Sequence, residues 1–189
     1  MKTTHTILLA AAVCFSALSA TAAYDFNLQT TAGAFSNPVL DVDGTTRVDN
    51  SFSAQIAVNG TLVGTVAQFG MNGSTVVSGL NGFLSAGTFT VPSGSLFGGS
   101  SATVQLFAWK GAANYTTALV TGGAKVGNSV VINNVVLGGQ SQDTLNTFTV
   151  PSLLAMPGFT MSTVAAVPEP ATLALGLFGA AGMLFRRRK

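Results

Sequence analysis

The chain is poor in the residues that do chemistry. It holds one cysteine, one histidine and one tryptophan in 189 residues, and 7% of it is charged, against about 25% in an ordinary globular protein. His5 and Cys14 both precede residue 23, in a stretch read below as a removable leader. The body that follows then has no imidazole and no thiol. That excludes a Ser-His-Asp or Cys-His nucleophile, an imidazole or thiolate zinc site, a haem ligand and a disulfide. The body also lacks glutamate, since Glu169 is the only one in the chain. The expectation is a non-enzymatic protein that needs no cofactor.

Basic charge is missing where a nucleic acid would need it. The pI near 9.0 comes from the ends, because Lys2 opens the chain and Arg186, Arg187, Arg188 and Lys189 close it. Between Tyr24 and Thr163 only Arg47, Lys110 and Lys125 remain, against Asp25, Asp41, Asp43, Asp49 and Asp143, a balance of −2. Three scattered bases cannot form the face that displaces counterions from phosphates, so no nucleic acid is expected as a partner.

What is present is concentrated at the two termini. Residues 1–23 run from Lys2 through the apolar stretch Ile7–Leu18 to Ala20-Thr21-Ala22-Ala23. That is the three-part pattern of a secretory signal, with an A-x-A site for signal peptidase and cleavage expected after Ala22 or Ala23. The apolar stretch is too short to cross about 30 Å of hydrocarbon. At the other end Val167-Pro168-Glu169-Pro170 precedes the uncharged run Ala171–Phe185 and then four bases. The two prolines hold an extended, accessible backbone. The run, counted back to Val167, makes a helix of roughly 28 Å, enough to span a bilayer marginally. Gly176, Gly179 and Gly182 offer a small-residue face for a neighbouring helix. The bases keep the end in the cytoplasm while the leader sends the body across.

Taken in that order, the Pro168-Glu169-Pro170 motif, the apolar helix and the membrane stop Arg186–Lys189 resemble the PEP-CTERM sorting signal of exopolysaccharide-producing Gram-negative bacteria. The same segment also carries the label ice-binding protein C-terminal motif, which is no evidence of ice binding. The resemblance implies an exosortase, a membrane-embedded transpeptidase, as partner besides signal peptidase. It implies cutting near the motif and delivery of the body to the envelope or the extracellular space, with only transient anchoring in the inner membrane. GPI signals lose their hydrophobic tails in a parallel way. A permanent tail anchor is the rival reading.

Between the termini, residues 24–163 contain 18 Thr and 14 Ser, with Gly and Asn at most turn positions. Short alternating runs bounded by Asn-Gly, Gly-Gly and Pro-Ser predict an all-β domain over 24–150, with 151–167 as a linker to the sorting signal at 168–189. The clearest unit is Ser51–Val58, Asn59-Gly60, Thr61–Phe69, a type I′ hairpin that sets Val58, Ile56, Ala54 and Phe52 opposite Thr61, Val63, Thr65 and Ala67. Further strands are expected at Tyr24–Thr30, Gly82–Val91, Ala102–Trp109, Ser129–Leu137 and Thr144–Val150. Ala102, Val104, Leu106 and Ala108 form one wholly apolar face, so Ala102–Trp109 reads as a central strand with Trp109 in the core. An antiparallel β-sandwich is the simplest architecture; a jelly roll or single-sheet roll fits the same pattern.

Candidate sites in the body are few. Asp41, Asp43 and Asp49 put three carboxylates within nine residues, which suits the oxygen-rich shell of calcium. Thr46 and Phe52 stand where an EF-hand needs Gly and Glu, so the plainer expectation is an Asx turn with an Asp–Arg47 pair. Thr88/Thr90 and Thr147/Thr149 are short threonine pairs of the kind a carbohydrate- or ice-binding face would need in longer ranks. A hydrolase would need carboxylates converging on a cleft. The expected role is a cell-surface or matrix protein in contact with exopolysaccharide.

Overall fold

Strand Ser101–Lys110 organises the body, as its one wholly apolar face and the Phe107–Trp109 end of the other require. In the computed structural model, which describes residues 22–30, 38–93, 95–142, 146–151 and 156–166, nearly all regular structure is antiparallel β. The strands are β1 (Ala23–Gln29), β2 (Ser53–Val58), β3 (Thr61–Gln68), β4 (Met71–Asn72), β5 (Thr75–Val76) and β6 (Ser85–Pro92), followed by β7 (Ser101–Lys110). A one-turn helix, α1 (Tyr115–Ala118), precedes β8 (Lys125–Asn128), β9 (Ile132–Val136), β10 (Gly139–Gln140), β11 (Thr147–Phe148) and β12 (Ser162–Thr163). The largest sheet runs β12-β8-β7-β2-β3, with β9 also on β7. A second sheet pairs β1 with β6, and β10–β11 and β4–β5 are short hairpins.

One core lies between these sheets. Tyr24 and Phe26 of β1 and Val91 of β6 meet Ala54, Ile56 and Val58 of β2 and Ala102, Val104, Leu106 and Ala108 of β7. The expected apolar face of β7 is therefore buried in full. Its other face carries a smaller cluster of Trp109, Ala118 and Ala124, with Tyr115, Val126 and Val164 packed around it. Trp109 is 1% exposed and its indole N–H donates to the Ala112 carbonyl at 3.1 Å, so it is core, as expected.

The Asn59-Gly60 hairpin forms with Asn59 at φ 49° and Gly60 at φ 80°. Val58 faces Thr61 and Ile56 faces Val63 as the pattern predicts, but Ala54 faces Ala67 rather than Thr65. Gly64, at φ 71°, opens a bulge there that takes up two extra residues of β3. A slip of two keeps every side chain on its own face, whereas a slip of one would turn β3 inside out. The bulge brings Ala67 to 8% exposure against the core.

Three further expectations change. The run expected at Ser129–Leu137 is strand only over Ile132–Val136, with a second strand at Lys125–Asn128 before it, and Thr144–Val150 holds only two strand residues among those described. Of the expected linker 151–167, the described stretch 156–166 packs with the body: Met156 and Met161 are 6% and 2% exposed in the core, and Ser162–Thr163 pairs with Val126–Lys125. Its methionines and Phe159 supply apolar area at irregular spacing, which gives no strand period to read. The leader up to residue 21, the sorting motif Pro168, Glu169 and Pro170, the apolar run Ala171–Phe185 and the stop Arg186–Lys189 lie outside the described residues. Among the described residues no helix is long and apolar enough to cross a membrane.

Candidate functional site

The aspartate loop forms because its own hydrogen bonds close it. Leu40 bridges to Arg47, the Val48 N–H donates to the Val39 carbonyl at 3.1 Å and the Asp41 N–H to the Thr46 carbonyl at 2.7 Å. Gly44 takes φ 68° at the tip. Inside the turn Asp43 Oδ1 accepts the backbone N–H groups of Thr45 and Thr46 at 2.9 and 2.8 Å, and Oδ2 accepts the Thr46 hydroxyl at 2.5 Å. The Asx turn is thus present. The Thr46 hydroxyl, then the Thr45 and Thr46 amides, hold the exposed Asp43 carboxyl down to about 2. Asp49 accepts from the Ser51 hydroxyl and from its N–H at 3.0 Å. Those bonds, the hydroxyl first, lower its pKa, with a smaller pull from Lys110 and against the opposing effect of burial.

Asp41 does not pair with Arg47. Lys125 reaches it instead, with Nζ at 2.7 and 2.6 Å from the two carboxylate oxygens. Lys125 opens β8, opposite Lys110 at the end of β7, and both ammonium groups lie over the Phe52 ring, at 5.7 and 4.8 Å from its centroid. Arg47 lies over Phe83 at 5.5 Å. The body's three bases therefore serve structure: Phe52, 2% exposed, is the common platform of Lys110 and Lys125, and Phe83 holds Arg47. Sequence reading missed Lys125 because its partner is 84 positions away.

These contacts define what the loop can do. Asp41, Asp43 and Asp49 each hold a separate partner, and among the described residues no group of three metal-ligating side chains converges. Asp43 and Asp49 are pushed toward the ionised form, the reverse of what a general acid needs. The threonine pairs are likewise interrupted. Thr88 and Thr90 are exposed on β6, yet the Thr90 hydroxyl donates to Asp25 at 2.5 Å and Asn27 stands opposite Thr88. Thr147 belongs to a two-residue strand. A shallow cleft of about 360 Å³ lies beside the β3 bulge, lined by Ser53, Thr65, Gln68, Met71 and Ser85 among others. Among the described residues its lining has no acid, base or aromatic ring.

Both ends of the described body are tied in by backbone hydrogen bonds. The Ala22 carbonyl accepts the Ser93 N–H at 2.6 Å and Ala23 already pairs with Pro92, so strand structure starts at the expected cleavage site. At the other end the Gly123 N–H donates to the Val164 carbonyl at 2.9 Å and the Val164 N–H to the Ala124 carbonyl at 2.8 Å. A Cβ on Gly122 would lie 2.7 Å from the Ala166 Cα, so glycine lets the last segment rest on this turn.

That last segment is where the similarity to known proteins begins. The family model of the PEP-CTERM protein-sorting motif matches residues 166–189. No curated protein and no solved structure matches the chain. The protein is an exported one that bears an address label at its C-terminus. The label is the PEP-CTERM sorting motif, which directs a protein to exosortase processing and to the cell envelope or extracellular space.

Proposed function

We propose that this protein is a non-enzymatic component of the cell surface or extracellular matrix, associated with exopolysaccharide. It leaves the cytoplasm through the leader ending at Ala22 or Ala23. The run Ala171–Phe185 then holds it transiently in the inner membrane with Arg186–Lys189 in the cytoplasm. An exosortase acts at Pro168-Glu169-Pro170 and hands the β-body to its destination. The observation that carries this reading is the sorting motif at 166–189, which follows a body whose loop aspartates, Asp41, Asp43 and Asp49, are each committed to structural partners. A hydroxyl-rich surface of low charge suits hydrogen bonding to neutral polysaccharide.

The test is mass spectrometry of the protein from intact envelopes of its own organism. Mature molecules ending upstream of Ala171 are the expected result, and replacing Pro168, Glu169 and Pro170 together by alanine should leave the whole tail in place. Intact Arg186–Lys189 on the mature wild-type molecule would make the tail a permanent anchor instead. Thermal hysteresis by the purified protein would assign it to ice, and a cleaved saccharide would make it a hydrolase.

A further inference from the structure

Two adjacent pairs of large apolar residues stand in water among the described residues, Leu119–Val120 and Val130–Val131. Val120, at 76%, is the most exposed large apolar side chain among the described residues, and Leu119 beside it is 47% exposed. Both belong to the turn that closes α1, where the Leu119 and Val120 N–H groups donate to Tyr115 and Thr117 at 3.1 and 3.2 Å. The turn is held up from beneath by the Trp109 cluster, and no charged residue occurs between Lys110 and Lys125. Two residues on, Gly122 carries Ala166, and Ala165 and Ala166 are exposed as well. The last described residues thus lie beside the most exposed apolar tip among those described.

Only residues 167–170 separate Ala166 from the apolar run that begins at Ala171. Fully extended, that stretch reaches roughly 18 Å, whereas a body of this size is about 35 Å across. The tether is shorter than the body is wide. Once the run enters the bilayer, the face that carries the exit must lie next to the lipid surface, and the far face cannot.

We propose that the Leu119–Val120 tip, with Ala165 and Ala166, is a lipid-contacting surface that seats the body on the membrane interface while the tail spans it. This rests on the tail insertion stated above. An uncharged tip of Leu and Val enters the headgroup boundary without desolvating a charge, and the edge-on aromatic pair Phe107–Tyr115, with centroids 4.7 Å apart, stiffens the platform behind it. Seating also fixes the height of the Pro-Glu-Pro segment above the bilayer, which is where a membrane-embedded enzyme must find it.

The experiment uses the full chain with Cys14→Ala, reconstituted into vesicles of phosphatidylethanolamine and phosphatidylglycerol with nitroxide-bearing lipids. An environment-sensitive fluorophore is placed on Val120→Cys, on Val76→Cys of the β4–β5 hairpin, 56% exposed, or on Gly176→Cys in the tail. Quenching at 176 and several-fold more quenching at 120 than at 76 is the expected result. Moving the probe to Ala165→Cys and adding Leu119→Asp and Val120→Asp should reduce its quenching to the level at 76. Both replaced side chains point to water, so circular dichroism should stay unchanged. Quenching at 176 with none at 120 overturns the lipid contact alone. No quenching at 176 overturns tail insertion and the seating with it. Shielding of 120 seen only with the processing enzyme co-reconstituted assigns the tip to that enzyme and overturns the lipid contact.

Discussion

The two faces of β7 differ in how their burial is distributed. The inner face places Ala102, Val104, Leu106 and Ala108 in a core shared by β1, β2, β6 and the 156–161 segment. The outer face rests on Trp109, the one large buried side chain of its cluster. One strand thus carries a core with many contributors on one side and a cover with a single keystone on the other. The difference teaches that the outer cover depends on one large buried side chain for its apolar packing, with the β12–β8 pairing and the Phe107–Tyr115 contact as its other ties to the sheet.

Truncation should expose this asymmetry most strongly. Trp109→Ala is expected to cost about 3–5 kcal/mol, and Leu106→Ala about 2–5 kcal/mol. The pattern, not the size, separates them: by native-state hydrogen exchange Trp109→Ala should release 112–124 and 162–166 before the sheet, and Leu106→Ala should lower protection everywhere. Uniform loss in both variants would merge the two clusters into one unit.

A smaller change should act on the cover alone. Gly122→Val places a side chain against the Ala166 backbone and is expected to cost about 1–3 kcal/mol. Proteolysis near 162–166 should accelerate while β2–β7 amides keep their protection. On the β9 flank of β7, Asn134 holds φ 57° at the bulge between Ala102 and Val104. Asn134→Val should cost about 1–2 kcal/mol, and Asn134→Gly should be nearly neutral, in chemical denaturation. Equal costs would place the effect in the side chain and not in the backbone.

The smallest effect belongs to the aspartate loop on the inner side. Asp43 drops from an ordinary 3.8 to about 2 on folding, so its contribution is complete above pH 3.8 and disappears as pH falls through about 2. Asp49 is shifted in the same direction. Asp43→Asn should flatten the acid limb of the melting temperature between those pH values and leave neutral pH nearly unchanged. An unaltered acid limb would show that the turn holds without its carboxylate.

Legibility in the sequence followed the reach of each interaction. Alternation marked the inner face of β7, and Asn59-Gly60 marked its hairpin, because both are local and periodic. The β3 bulge was less visible, since Gly64 is one of 22 glycines and only the packing of Ala67 against the core selects it. Lys125 could not be paired with Asp41 across 84 residues. Residues 156–164 read as a linker because Met156, Phe159 and Met161 bury themselves without the period-two pattern. In the candidate sites, the Asx turn was legible from Asp43-Gly44-Thr45-Thr46. The tail motif was legible because it is linear, and a linear signal needs no fold to be read.

On the proposed reading, in which a leader is removed after Ala22 or Ala23, the hydrogen bond from Ser93 to the Ala22 carbonyl sets up a race. Signal peptidase needs the backbone around Ala22 extended in its own cleft, and β6 competes for those same groups as soon as β1 zips onto it. Leader removal, so proposed, has to come before the first strand docks. On the same reading, a chain that folds too quickly after translocation would hide its own cleavage point and keep its leader.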